Sequence, residues 1–351
     1  MDNSKIRVLV VDDSAFARAN ISKQLSEDPR IEIVDVAHNG IEALEKIPML
    51  QPQVVTLDVD MPQMDGLTAL KHIMEEFPTP VVMLSSFTSE GASETIQALE
   101  LGAIDFFVKH SATQPAGTGK IAESLRSKVR MASEISTAKL RRMRRTASPQ
   151  LQLKRKKTQK QHALRTRKIV LIGSSTGGPQ ALYDILPSLP TDIPAPLLIV
   201  QHMPAGFTKS LAERLDAVCE IPVKEAAEGD VLTPGTAYIA PGDYHMTTDK
   251  HGRIALNQKA PECGVRPSVN VTMESLASVF GPFCVCAVLT GMGNDGTRGS
   301  NLIKVAGGKV FVEHESTCIV YGMPKSIIDA GNADKVLRRT QIAQAISQEC
   351  N

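Results

Sequence analysis

Short apolar runs alternate with longer amphipathic stretches through the first third of the chain. Ile6–Val11 reads as a buried strand, Ala15–Glu27 has helical spacing, and a second strand over Ile31–Ala37 leads into a helix over Gly40–Ile47. Val54–Leu57, Pro80–Leu84 and Asp105–Val108 are three further strands, with helices over Gly66–Glu76, Gly91–Leu101 and Ile121–Ile135. Five strands alternating with helices predict a doubly wound parallel sheet with right-handed crossovers. Residues 136–167 lose all apolar periodicity and read as an exposed linker. The rhythm restarts at Lys168, with strands over Ile169–Ile172, Leu197–Val200, Cys284–Leu289 and Gly308–Val312. Tyr244–Gln258, turning at Asp249–Gly252, has the pattern of an antiparallel hairpin. The predicted fold is α/β throughout: a five-stranded parallel domain over 1–135, a linker over 136–167, and a mostly parallel sheet with an appended hairpin over 168–351.

Charge sharpens this division. Residues 1–119 carry 8 Lys+Arg against 18 Asp+Glu, residues 120–168 carry 17 against 2, and residues 169–351 carry 14 against 18. Two acidic domains therefore flank a basic bridge, which reads first as a solvated tether and leaves open docking on an acidic partner. No folded DNA-reading motif accompanies the basic run Lys154–Lys157, so nucleic acid is not the expected partner. Trp is absent and aromatics make up 4% of the chain, which disfavours stacking as a binding device. The six cysteines form no Cys-x-x-Cys pair, so zinc and dithiol redox readings fail. The start of the chain lacks a signal-peptide pattern and no run of about 18 apolar residues occurs, so a cytoplasmic protein without membrane insertion is expected.

Chemistry-bearing residues collect at predicted strand ends. Asp12 and Asp13 follow the first strand, Asp58 the third, Ser85 the fourth and Lys109 the fifth. In a doubly wound sheet these ends converge on one edge. Clustered carboxylates repel unless a hard cation joins them, and Mg²⁺ accepts such ligands. Lys109 and the Ser85 hydroxyl then suit a phosphoryl group, with Asp58 as the covalent acceptor. Together with Asp-Met-Pro-Gln-Met-Asp-Gly at 60–66, this block resembles the response-regulator receiver family. The resemblance implies phosphorylation of Asp58 by a histidine kinase, Mg²⁺ at Asp12, Asp13 and Asp58, and Phe106 at the family's switch aromatic. His110 stands where the family carries a cis-proline, so a trans peptide is expected after Lys109.

The second domain carries Gly-Ser-Ser-Thr-Gly-Gly at 173–178, between a strand and a helix. Such a turn suits a nucleotide phosphate or a nucleophilic serine beside a backbone oxyanion site. Both nucleotide fingerprints are missing. A base and an orienting acid are present at other strand ends: His202 in Gln-His-Met-Pro (201–204) and Asp295 in Thr-Gly-Met-Gly-Asn-Asp-Gly (290–296). Ser175, His202 and Asp295 thus make a candidate triad, defined by geometry rather than by chain order. With Ala-Pro-Gly-Asp-Tyr-His-Met (240–246), Arg-Pro-Ser-Val-Asn (266–270) and Tyr-Gly-Met-Pro-Lys (321–325), the chain resembles the chemotaxis protein-glutamate methylesterases over nearly its whole length.

That resemblance implies hydrolysis of glutamate methyl esters on chemoreceptors, with release of methanol, and deamidation of receptor glutamines. It selects Ser175 over the adjacent Ser174, where the family usually has Ala. It gives the oxyanion to the backbone N–H groups of Thr176 and Met292, and requires no cofactor for the esterase. His245, Arg266 and Tyr321 fall in matching segments and are candidates to line the substrate groove. A receiver-controlled DNA-binding regulator and a nucleotide-dependent oxidoreductase are the rival readings; the acidic output block and the missing fingerprint disfavour them. A polar bridge of about 30 residues is too mobile to transmit a rigid motion. Control is therefore expected through the unphosphorylated receiver covering the Ser175 edge, an arrangement the resemblance also implies.

Overall fold

The computed structural model describes residues 5–86, 88–109, 118–136, 140 and 168–351. The chain divides into two compact units, Met1–Pro149 and Gln150–Asn351. Of the expected linker 136–167 only Ser136 and Leu140 are described; the rest, like His110 and the peptide after Lys109, lies outside the described residues.

The first unit contains β1 (Ile6–Val11), β2 (Ile31–Ala37), β3 (Val54–Asp58), β4 (Val81–Ser86) and β5 (Asp105–Lys109), all parallel, in the order β2-β1-β3-β4-β5. Helices α1 (Ala15–Ser26), α2 (Gly40–Leu50), α3 (Gly66–Glu76) and α4 (Ser89–Leu101) make the connections, and α5 (Thr118–Ser133) follows β5. Strand order reverses between β1 and β3, and that crevice at the carboxyl ends is where an open α/β sheet receives ligands. Val8–Val11 and Val54–Leu57 are buried, as continuous apolar runs in a parallel sheet demand. The helix starts are set by side chains: Ser14, Asn39, Asp65 and Thr88 each accept an N–H from the first turn of α1 to α4.

The second unit is a seven-stranded parallel sheet in the order β14-β13-β12-β6-β7-β9-β8. Its central strands are β6 (Ile169–Ser174), β7 (Leu197–Gln201), β12 (Cys284–Val288) and β13 (Lys309–Glu313). Three-residue strands β8 (Val223–Glu225) and β14 (Lys335–Leu337) close the edges, with a third, β9 (Ala237–Ile239), between β7 and β8. The apolar pattern did not predict these three, because so few residues carry no periodicity of their own. The predicted hairpin is present as β10 (His245–Thr248) paired antiparallel with β11 (Ile254–Asn257), and it forms a separate two-stranded sheet. Helices α6 (Gly178–Ile185), α7 (Phe207–Val218), α8 (Val269–Phe280), α9 (Thr297–Val305), α10 (Met323–Asp329) and α11 (Arg339–Cys350) complete the unit. Here the order reverses between β12 and β6, so the loops after these two strands share the central crevice.

Candidate functional site

At the crevice of the first unit, the carboxylate oxygens of Asp12, Asp13 and Asp58 lie within 4.8 Å of one another. Asp12 and Asp58 are buried and Asp13 is exposed. Lys109 reaches in from the end of β5, with Nζ 2.7 Å from Asp58 Oδ1 and 3.2 Å from Asp12 Oδ2. Burial pushes Asp58 up to about 6, because the opposing pull of Lys109 is partly cancelled by the Asp12 carboxylate. Burial alone would lower the Lys109 pKa, but the hydrogen bond and charge of Asp58 outweigh it and raise the value. Three carboxylates against one ammonium leave an excess of negative charge, and these hard oxygen donors fit a divalent cation such as Mg²⁺. Gly66 opens α3 directly beside Asp58: a Cβ there would stand 1.9 Å from the Asp58 carbonyl oxygen.

Ser85 is not brought into this cluster. It is fully buried, and its hydroxyl faces α4, accepting from Thr95 Oγ1 at 2.7 Å and lying 3.2 Å from the Gly91 carbonyl. The hydroxyl expected to bind a phosphoryl group on Asp58 is held here by the α4 backbone and Thr95. Phe106 is buried on β5, with Lys128 Nζ 5.9 Å from its ring centre.

In the second unit, β6 ends at Ser174 and the chain turns through Ser175–Gly177 into α6. Glycines are required at this turn for identifiable reasons. Gly177 has φ +76°, and a Cβ on it would lie 2.5 Å from Ile319 Cδ1. A Cβ at Gly291, in the loop after β12, would lie 2.7 Å from Ser175 Cβ. The backbones around residues 175 and 291 therefore approach as closely as two chains can. Thr290 locks them together: its carbonyl accepts from Ser175 N at 3.1 Å, and its hydroxyl donates to the Thr176 carbonyl at 2.9 Å. The Thr290 N–H in turn donates to buried Glu313, which pairs with Arg339 at 2.9 Å.

The two adjacent serines differ. Ser174 is fully buried and its Oγ donates to Gln201 Oε1 at 2.7 Å; Ser175 is partly exposed. His202 follows β7, one residue beyond the Ser174–Gln201 pair, and its N–H donates to the Ser174 carbonyl. His202 Nε2 lies 2.8 Å from Asp295 Oδ2. Asp295 is 2% exposed and sits at the N-terminus of α8, where it accepts from Ser268 Oγ, Val269 N and Asn270 N at 2.7–2.9 Å. Burial alone would raise its pKa, but His202 and the Asn270 and Val269 N–H groups outweigh it and hold the carboxyl below its usual range. Such a carboxylate orients an imidazole. With Nε2 committed to Asp295, Nδ1 is the ring nitrogen left for proton transfer. Thr176 is buried at the start of the turn, and Met292 is half-exposed in the loop that presses on Ser175.

Two groove candidates are held by intramolecular contacts. His245 is 1% exposed on β10, with Nε2 3.1 Å from the Ala260 carbonyl, because the hairpin folds that strand face against α8. Arg266 spends its guanidinium on Asp243 and on the carbonyls of Gln258 and Lys259, the last at 2.8 Å. Tyr321 is partly exposed, beside the Gly291 loop through a backbone bridge, and keeps its place as a candidate. Gln201, Ser268, Thr290 and Asn270 escaped the sequence reading. Each stands within a motif already singled out, but only hydrogen-bonding partners distant in sequence give it a role.

Residues 170–346 match the family described as CheB methylesterase, and residues 8–115 match the response regulator receiver domain. A protein-glutamate methylesterase/protein-glutamine glutaminase of Symbiobacterium thermophilum is 48% identical over 98% of this chain and 96% of its own length. The protein of the same description from Archaeoglobus fulgidus is 47% identical over 97% of both chains. The crystal structure of the Thermotoga maritima CheB methylesterase catalytic domain is 47% identical and covers 52% of this chain and 97% of its own, with a TM-score of 0.50.

Proposed function

The chain belongs to the CheB methylesterase family, and from that membership and the site geometry we propose a phosphorylation-regulated serine hydrolase. Its substrates are glutamate methyl esters and certain glutamines on chemoreceptors, and it acts in the cytoplasm. In this reading residues 1–135 form the receiver, 136–167 the basic bridge and 168–351 the catalytic domain.

Ser175 Oγ attacks the ester carbonyl while His202 Nδ1 takes its proton. Asp295 holds the ring through Nε2 and stabilises the imidazolium that forms. The backbone N–H groups of Thr176 and Met292 receive the developing oxyanion. His202 then returns the proton to the leaving group, which departs as methanol from an ester or ammonia from a glutamine. Water, deprotonated by His202, attacks the acyl-enzyme and releases glutamate and free Ser175. The chemistry uses protein groups and water.

Asp58 is the phospho-acceptor for a histidine kinase, with Lys109 neutralising the transferred phosphoryl group. Asp12, Asp13 and Asp58 would hold Mg²⁺, which would supply charge neutralisation for phosphoryl transfer. Ser85 donates to the phosphoryl group by turning its hydroxyl away from the Gly91 carbonyl.

The observation that carries the esterase reading is the His202–Asp295 pair at 2.8 Å, set beside a partly exposed Ser175 at the carboxyl ends of adjacent strands. Its test is methanol release from methylated receptor. Ser175→Ala is expected to lower the rate by about 10⁴-fold or more with folding intact. A Ser175→Ala protein with normal turnover would remove the assignment.

A further inference from the structure

We infer that Ser174 is a positioning residue of the esterase, acting by fixing the Gln201 amide that ties the Ser175 turn to the His202 strand end; this rests on the reading of Ser175 as nucleophile. Ser174 and Gln201 are direct neighbours in the β6–β7 register, and both are buried, at 0% and 2% exposure. Gln201 Nε2 donates to the Ser175 carbonyl at 2.9 Å and to the His202 carbonyl at 3.3 Å. Carbonyl oxygens only accept, so the amide nitrogen must face them and Oε1 must face the other way. There it meets Ser174 Oγ at 2.7 Å, and the hydroxyl is necessarily the donor.

Two consequences follow for the chemistry. The Ser174 proton is committed to an amide oxygen rather than to a base, so Ser174 is not a second nucleophile. The amide also bridges the backbones of the nucleophile and the base themselves. Among the described residues, the donor seen on Gln201 Oε1 is the Ser174 hydroxyl. A Cβ at Gly178 would stand 1.9 Å from Gln201 Oε1, and the Gly178 N–H is already spent on the Ser175 carbonyl. Removing the Ser174 hydroxyl strands a buried acceptor, so the amide turns in search of a donor and slackens its hold on both carbonyls. The resulting error lies in the separation of Ser175 and His202. It therefore enters kcat, whereas KM is untouched because neither buried group meets the substrate.

The experiment uses the full chain. Methanol release from methylated receptor and labelling by a serine-directed fluorophosphonate are measured for the unaltered protein, Ser174→Ala, Gln201→Met and the double variant. Each single change is expected to lower kcat about tenfold, the size of one buried hydrogen bond left unmade, with KM unchanged. The double variant is expected to be no slower than the slower single one, because both act through the same amide. Peptide fragmentation is expected to find the label on Ser175 in every protein. Thermal unfolding and phosphoryl uptake at Asp58 check that the variants fold. Should Ser174→Ala not fold, Ser174→Cys keeps a weak donor and is expected to give an intermediate kcat. Unaltered kcat, a change confined to KM, multiplicative losses in the double variant, or label on Ser174 each overturn the inference. An unaltered protein that neither releases methanol nor takes label overturns the esterase reading itself, a result visible before any variant is made.

Discussion

Replacing Gly291 with alanine tests the idea that the loop after β12 positions the nucleophile by direct contact. The φ of Gly291 is not in the left-handed region, so alanine adds a methyl group without a backbone penalty. That methyl would lie 2.7 Å from Ser175 Cβ, 3.2 Å from Ser175 N and 2.4 Å from Met323 Sδ. Carbon atoms rest at about 3.5–4.0 Å, so roughly 1 Å must be found. The Met323 thioether can swing aside, since Met is unbranched and adaptable. Ser175 cannot yield without moving its turn, which is tied to the same loop through the Thr290 carbonyl. A displacement of about 1 Å at a reacting group costs about 10²-fold in rate, or roughly 2.7 kcal/mol in barrier. Overpacking of this kind costs about 1–3 kcal/mol in stability, which a folded domain can absorb. The assay is kcat for methanol release, with thermal unfolding measured alongside. Gly293→Ala is the control: φ there is +87° and nothing lies within 4 Å, so alanine brings about 1–2 kcal/mol of backbone strain but no push on Ser175. A Gly291→Ala enzyme with unaltered kcat, or an equal loss in Gly293→Ala, would refute the contact mechanism.

Three further outcomes are expected. The chain takes up one acid-labile phosphoryl group in a Mg²⁺-dependent manner, and Asp58→Asn or chelation abolishes it; stoichiometric labelling of that variant would point to another acceptor. The Asp295 carboxyl is held below its ordinary value in the folded state, so its stabilising contribution is present above the unfolded pKa of about 3.9 and is lost as pH falls through the lower, folded value. Denaturant unfolding of the catalytic domain is therefore expected to show the deficit of Asp295→Asn at pH 7 shrinking as pH drops below about 4, and a pH-independent deficit would contradict the assignment. Occlusion by the unphosphorylated receiver requires a 168–351 fragment faster than the unmodified full chain and indifferent to a phosphodonor; a fragment no faster than the full chain leaves recruitment or direct activation.

The amino-acid sequence by itself determined the alternation of long strands and helices and the kinds of side chain that follow the strands. Continuous apolar runs such as Val8–Val11 and Ile169–Ile172, alternating with helices, suit the buried strands of a parallel sheet, and the residues that follow such strands are carried to one edge. That is why Asp12, Asp58 and Lys109 meet, and why His202 meets Asp295 across 93 positions of chain. The tertiary structure alone decided the finer matters. The short strands β8, β9 and β14 exist because neighbouring strands offer unpaired backbone groups, a cause invisible in three residues of local pattern. Ser85 faces α4 because its hydroxyl finds the Gly91 carbonyl to donate to and the Thr95 hydroxyl to accept from, groups that only folding brings beside it. Arg266 and His245, equally placed in motif-like segments, are consumed by Asp243, by backbone carbonyls and by burial. Ser174 and Ser175 are identical in type and adjacent in sequence, and strand pleating sends one hydroxyl into the sheet against Gln201 while the turn presents the other. Sequence carries the kind of side chain and its place along the element; which hydrogen-bonding partner wins depends on groups that only folding brings within 3 Å.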